Sequence, residues 1–506
     1  VGKNVAVIDI GMTNKKVAVY DRDLRALGSV SKSFGPTLVE GIEAHDLAGI
    51  EDWVLDNLAE LGRSFDIGAI AVTTHGATMV CVGEDGEPCA PCVYYTHEPG
   101  PEFQERFYRL AGDRRELQSV TGTPPLAAMI NPAKGIFFLR ERFPESFART
   151  RTALNYPQYW VYRLTGVAGA EGTFVGCHSY LWDWRAARYS SVADKLGIAD
   201  KMPFPLRDSW DVAGTLKDDI ARRTGLGRDV VVTMGIHDSN ASLLPHLAAR
   251  KGGDFALNST GTWCVLMHPQ EEYRFSPDEL GKVVFFNRSA YNKPVKTAIF
   301  LGGMEFGAWA SVIRRARGLA EGAELPEPAP AEYRAVVEGR DLFVLPELVP
   351  GSGQFPGSVA RARSGGVDYA LADIESGAAA PTFLRDTGAS VAALKLSLAI
   401  QTLVALERAG ADGGTDVITE GGFRKNAGYN ALLAAALKGR AYLTDIPEAT
   451  SLGAAMTGVA ALEGVKPDAL ADRLDVGYAR PAAMGGLEGF GEYRAAWLAL
   501  ASRDNR

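Results

Sequence analysis

The sequence predicts a two-domain α/β protein with a duplicated fold and a cleft between its halves. Three observations carry that expectation. At 506 residues the chain exceeds what one hydrophobic core usually holds. β-Branched apolar runs alternate with helical stripes along its length. A strand, a small polar turn with glycine and a second strand occur at residues 5–20 and again at 254–267, almost halfway along.

Composition narrows the class. Hydrophobic residues at 46% and charged ones at 23% describe an ordinary globular protein. The formal charge of −8 comes from 53 basic and 61 acidic residues, so no basic excess points to nucleic acid. No run of about 18 apolar residues is present, and the chain opens on strand-like Val5-Ala6-Val7-Ile8. Neither a membrane span nor a signal peptide is expected. Five cysteines, sparse and odd in number, suit a reducing cytoplasm, the expected location. Cys89-Ala90-Pro91-Cys92 lacks the second Cys/His pair of a zinc site and the helix start of a redox motif. Reduced structural thiols are the expectation there.

In chain order, the hairpin at 5–20 carries Asp9. Gly11 lets backbone approach a ligand closely, and Thr13, Asn14, Lys15 and Lys16 supply donors beside it. Such a tip suits phosphate and metal, although polar-tipped hairpins are common. A helical face follows with Ile50, Trp53, Val54, Leu58 and Leu61. The strand at 67–73 then ends in Thr74-His75-Gly76, at the sheet edge where open α/β folds place ligands. Residues 77–184 hold Tyr94, Tyr95, His97, Tyr156, Tyr159, His178 and Trp182. Aromatic faces with neutral hydrogen-bonding groups suit a polyhydroxylated ligand, so this half is the better place for a small-molecule pocket.

Val231-Val232-Thr233-Met234-Gly235-Ile236-His237-Asp238 reads as a buried strand, a turn and a carboxylate where a helix begins. Asp238 is either an N-cap or, ionised near a helix N-terminus, an acceptor for a substrate proton. His237 reads as a neutral hydrogen-bonded histidine or a group orienting a hydroxyl. Residues 250–253 form a hinge or a sharp turn. The repeat at 254–267 puts Thr260, Gly261 and Thr262 at a second tip, so that two tips face one phosphate chain. Residues 301–380 are irregular, apart from a helix after Glu305 and a short strand near Leu342. A long helix is expected over 388–409. The strand at 415–422 ends in Gly421-Gly422, which either exposes backbone N–H groups to a phosphate or sugar or is plain punctuation. Asn426 leads into the next helix. The small-residue helix from Glu448 is expected to pack on that junction, and the remainder to Arg506 to be helical and peripheral.

Taken together, Asp9, Asp238, the turn at 258–262 and Gly421-Gly422 resemble the FGGY carbohydrate kinases in order and spacing, over about 5–460. The flavour is nearest the rhamnulokinase and fuculokinase branch. The features behind that are the non-threonine after Gly11, the Ser-Thr-Gly-Thr-Trp tip and Glu448-Ala449-Thr450-Ser451-Leu452-Gly453.

The resemblance implies two actin-like (RNase H-like) domains: 1–249 binding sugar, 250–480 binding nucleotide, with a helical extension over 481–506. It implies an ATP-dependent kinase phosphorylating a ketose hydroxyl, with an L-ketose such as L-rhamnulose or L-fuculose as substrate. A pentulose or polyol is the alternative; an actin-like nucleotide switch without sugar activity is the reading from another class. Asp9 would hold magnesium. Gly11, Thr13, Asn14 and Lys16 would line the first phosphate loop, and Thr260, Gly261 and Thr262 the second. Gly421, Gly422 and Asn426 would meet the nucleotide. Asp238 would be the base, with Thr74, His75, Gly76, His97 and His237 around the sugar. Expected partners are the sugar and ATP, with no nucleic acid or membrane, and a homodimer is left open. Met12 and Phe423 depart from the family pattern, at the first phosphate loop and the nucleotide junction.

Overall fold

The first hairpin sets the frame of the molecule. In the computed structural model, which describes residues 3–503, β1 (Asn4–Ile10) runs antiparallel to β2 (Asn14–Tyr20), with Asp9 opposite Lys16. Every residue of β1 except Asp9 is buried, because this strand lies mid-sheet and is covered on both faces. β3 (Ala26–Ser33) extends the meander and α1 (Leu47–Ser64) packs beside it. β4 (Ile67–Thr74) pairs parallel with β1, bringing Asp9 level with Thr73. After the short helix α2 (Gly172–Val175) come β5 (Val212–Thr215), β6 (Val231–Thr233), β7 (Ile236–His237) and α3 (Asp238–Arg250). The sheet order is β5–β6–β4–β1–β2–β3, with β7 also on β4.

The second half repeats this topology. β8 (Phe255–Thr260) and β9 (Cys264–Pro269) form its hairpin, and β10 (Val284–Arg288) and β11 (Pro294–Phe300) continue the antiparallel side. After α4 (Gly302–Ala316) and α5 (Thr387–Arg408), β12 (Asp416–Gly421) pairs parallel with β8, as β4 does with β1. Then follow α6 (Ala427–Ala436), β13 (Ala441–Thr444), α7 (Ala449–Glu463), β14 (Tyr478–Ala479) and α8 (Phe490–Ala501). The order is β10–β11–β9–β8–β12–β13–β14. In both sheets the first strand has a hairpin on one side and a parallel strand on the other. The duplication read from the two hairpins is thus a duplication of the whole sheet.

Two packing expectations are corrected. α7 does not lie on the Gly421-Gly422 junction. It crosses α3 so closely that a β-carbon on Gly453 would sit 1.8 Å from Ala241 O, and Gly458 abuts Val5 of β1. Small residues let the two backbones touch, and α7 thereby helps to bury the first sheet: Val5, Val7, Ala69, Ala454 and Val459 share one core. The C-terminal helix α8 is not peripheral either. Tyr493 and Trp497 are fully buried, donating to Leu342 O at 2.8 Å and Val344 O at 2.7 Å. α5 is apolar and long enough to cross a bilayer, but 94% of its most apolar window is buried inside the molecule, so it is a core helix. At residues 251–252 the backbone makes the sharp turn, with Lys251 and Gly252 both left-handed (φ 44° and 81°).

Candidate active site

α3 begins where β7 ends, and that junction places Asp238 at the floor of a cleft of about 240 Å³ between the halves. His75, Gly76, Tyr95, His178 and His237 line it on the first half; Trp263, Phe285, Asn287 and Ile299 line it on the second. Asp238 is the first residue of α3 and not its N-cap, a place taken by His237. Its Oδ1 accepts from Ser239 N at 2.6 Å and Ser239 Oγ at 3.3 Å. Burial pushes its pKa up to about 6, against those bonds. The side chain is still 34% exposed to the cleft, so water there screens part of that rise.

The histidines around it are neutral. Burial drives His237 down to about 4 and His75 and His178 to about 3. Asn240 Nδ2 lies 3.1 Å from His237 Nδ1 and can only donate, so the ring proton of His237 is on Nε2, 3.2 Å from Asp238 Oδ1. His75 has the other tautomer: Nδ1 donates to Gly76 O at 2.6 Å, leaving Nε2 a buried acceptor with no partner among the described residues. Asn287 Oδ1, across the cleft, is likewise buried without a partner. Among the described residues no lysine or arginine lines this cleft.

Thr74 is at the strand end but its hydroxyl donates to His75 O at 2.9 Å, so it shapes the backbone and does not line the wall. His97 is not on this wall. Its ring packs on Phe138 at 5.3 Å, and Tyr95 holds the position beside His75 instead. Of the aromatic-rich stretch, Tyr156 and Tyr159 are core residues; only Tyr95 and His178 of the residues singled out there reach the cleft.

On the hairpin side, Ser451 Oγ donates to Asp9 Oδ2 at 3.0 Å, and Lys16 pairs with Glu448. Burial pushes Asp9 up to about 6; Lys16 and Ser451 work against it, and the charges of Asp238 and Glu448 add to the rise. Gly11 is required by the turn itself, since a β-carbon would lie 2.9 Å from Asn14 O. Lys15 turns inward and donates to Gly11 O and Met12 O, both at 2.8 Å, while Thr13 and Asn14 remain exposed. Asn14 Oδ1 accepts from Ser33 Oγ at 2.5 Å.

In the second half, Thr260 does not offer a free hydroxyl. It donates to Glu420 O and accepts from Phe423 N at 2.9 Å, tying its turn to the Gly421-Gly422 junction. Gly261 and Thr262 at the tip are exposed. Gly421 has φ 77°, and a β-carbon there would meet Thr260 O at 2.0 Å. Gly422, Phe423, Lys425 and Asn426 line a larger cavity of about 890 Å³ with Phe306 and Arg314. Asn426 also caps α6 through Tyr429 N at 3.3 Å. The turn at 260–263 thus joins both spaces: Trp263 lines the small cleft and Thr260 holds the rim of the large one.

A model of the FGGY family of carbohydrate kinases, N-terminal domain, matches residues 5–245, and one of the carbohydrate kinase FGGY C-terminal domain matches 252–467. The chain belongs to the FGGY carbohydrate kinases. Among similar proteins, the xylulose kinase of Bacillus subtilis (strain 168) is 25% identical over 293 residues, 56% of this chain and 57% of that protein. The L-fuculokinase of Salmonella typhi is 25% identical over 271 residues, 52% of this chain and 56% of the other. The match therefore spans a little over half the length of each of these relatives. The crystal structure of a carbohydrate kinase from Novosphingobium aromaticivorans superposes with a TM-score of 0.78 at 27% identity, covering 99% of this chain and 98% of that one.

This FGGY chain has site residues that its sequence did not announce. Asn287 and Phe285 sit on β10, far from any motif, and reach the cleft only because the two halves face each other. Ser451 carried a signal, in the Glu448–Gly453 stretch, but its partner Asp9 lies 442 positions earlier.

Proposed function

We propose that this chain is an ATP-dependent kinase that moves the γ-phosphoryl group to a primary hydroxyl of a neutral ketose. L-rhamnulose and L-fuculose are the leading candidates. The observation that carries this reading is the cleft floor: among the described residues it holds one carboxylate, neutral histidines and no lysine or arginine. Asp238, His75 Nε2 and Asn287 Oδ1 all accept hydrogen bonds, which suits a ligand rich in hydroxyl donors. A sugar acid would bring its carboxylate against these acceptors with no cation to offset it. Leu126, Ile130, Phe285 and Ile299 supply an apolar wall suited to the methyl group of a 6-deoxy sugar.

Phosphoryl transfer asks for in-line placement, a base at the attacking hydroxyl and positive charge near the moving group. Asp238 takes the proton of that hydroxyl, and His237 Nε2–H holds the carboxylate in place. The larger cavity, with aromatic Phe306 and Phe423 and cationic Arg314 and Lys425, accommodates the nucleotide. The exposed turn at Gly261-Thr262 and the Thr13–Asn14 tip face the phosphates. Among the described residues no cluster of three or more His, Cys, Asp or Glu gathers to cage a metal. Asp9 nevertheless fits magnesium, which commonly takes one or two carboxylates together with substrate phosphates. Bound there, magnesium would neutralise phosphate charge.

The test is a panel of L-rhamnulose, L-fuculose, L- and D-ribulose, D-xylulose, glycerol and gluconate, read by coupled ADP formation. Pentuloses belong in it because a xylulose kinase is among the relatives. Turnover confined to gluconate, or ADP release indifferent to every sugar, would sink the reading.

A further inference from the structure

Behind Asp238, a chain of hydrogen bonds runs away from the cleft. Glu171, just before α2, is buried, and its carboxylate accepts from Thr173 N at 2.8 Å, Phe174 N at 3.3 Å and Thr173 Oγ1 at 2.7 Å. The backbone N–H of His237 can only donate, so Thr173 Oγ1, 3.0 Å away, accepts from it. The Thr173 proton goes to Glu171 when that carboxyl, which burial pushes up to about 7, is ionised. Asn240 Nδ2 donates to Thr173 O at 3.4 Å and to His237 Nδ1 at 3.1 Å. Its amide orientation is thus set at two points, and the ring proton of His237 is left facing Asp238. Both the backbone and the ring of His237 are held by α2 and its contacts.

α2 is also wedged against the other half. A β-carbon on Gly172 would sit 3.1 Å from Arg288 Nε, and one on Gly176 would sit 2.5 Å from Arg288 Cβ. Arg288 ends β10, the strand that carries Asn287 into the cleft. One short helix thus touches the second half on one side and His237 on the other.

We propose that Thr173 and Asn240, anchored by Glu171, are positioning residues that set the tautomer and placement of His237 and so the aim of Asp238. Through Arg288, α2 registers that pair against the second half. The proposal rests on Asp238 acting as the base, and goes beyond that reading in assigning how the base is aimed.

Two near-isosteric variants test it in the full chain. Thr173→Val removes the hydroxyl and strands His237 N–H. Asn240→Asp replaces a donor with an acceptor and should draw the ring proton to Nδ1. Each is expected to lower kcat about tenfold or more on the accepted ketose, with its KM within about twofold, as misplacement of a catalytic group does. Thr173→Ser should restore kcat. Nitrogen-15 NMR of His237, assigned by loss of its signal in His237→Gln, reads the tautomer without any substrate. The expected result is Nε2–H in the wild type and Nδ1–H in Asn240→Asp. A wild-type Nδ1–H tautomer, or wild-type kcat in a folded Asn240→Asp protein, overturns the proposal. Wild-type protein inert to every sugar would instead count against the proposed function, and the NMR result would still decide the relay. If Thr173→Val fails to fold, the Asn240→Asp and NMR results decide.

Discussion

Gly76 and His237 are in contact so close that nothing can be added between them: a β-carbon on Gly76 would lie 2.7 Å from His237 Nε2 and 3.0 Å from His178 Cε1. The glycine after His75 is therefore a spacing requirement, since its φ is not among the positive ones and any residue could adopt its backbone. Gly76→Ala is expected to push the His237 ring off Asp238 and lower kcat/KM about tenfold or more, with little change in thermal unfolding. Unchanged kinetics in the alanine variant would mean that the ring moves without consequence.

The pH dependence follows from which groups titrate. His75, His178 and His237 stay neutral above pH 5, because burial holds them at about 3, 3 and 4. Asp238 is held up at about 6. A base works only when ionised, so kcat/KM should be full above that value and fall as pH drops through about 6. Asp9, also at about 6, shares this range. Added magnesium favours the Asp9 carboxylate and should move its part of the limb to lower pH, and that of Asp238, whose charge acts on Asp9, by less. Asp238→Asn should lose turnover by on the order of a hundredfold or more while still binding ATP.

What the sequence reveals of this site is what local backbone chemistry encodes. Asp9, Asp238 and Gly421 each sit where a strand ends or turns, and strand ends are legible from β-branched runs stopped by glycine. The opposite wall is not legible, because Asn287 and Phe285 lie on an ordinary strand whose inward face is decided by the other half. His97 and Tyr95 differ by two positions, as strand neighbours on one face would, but the chain turns there, with His97 N donating to Tyr94 O at 3.0 Å. The two side chains part company for that reason. The hairpin formed by Arg361–Ser364 and Val367–Ala370 is not legible from the sequence, since its strands are four residues each and largely polar. The turn that holds Thr260 is legible, but its hydroxyl faces Glu420, 160 residues on, a contact that no spacing reveals.

The C-terminal helix gives a stability prediction. Trp497 is fully buried against Phe355 and donates to Val344 O at 2.7 Å. Trp497→Ala removes that packing and strands a carbonyl, and should cost about 3–5 kcal/mol of unfolding free energy. Chemical denaturation checks it. A loss below about 1 kcal/mol, typical of surface sites, would mean that α8 is dispensable to the core.

Asn287 gives the sharpest test of how the second half reads the sugar. Among the described residues its Oδ1 is buried without a partner, while Nδ2 donates to Thr297 Oγ1 at 3.4 Å. An unpaired acceptor on a pocket wall is satisfied when a ligand hydroxyl donates to it, a bond worth about 1–3 kcal/mol when its loss leaves a group unpaired. Asn287→Leu keeps the shape and removes that acceptor. The KM for the ketose should rise about tenfold, with kcat and the KM for ATP little changed, because the residue lies across the cleft from Asp238. Asn287→Asp keeps an acceptor and adds a charge across the cleft from Asp238. It should raise the pH at which activity is half lost, since a second carboxylate disfavours ionisation of the first. A leucine variant with wild-type KM would show that the sugar is held by the first half alone.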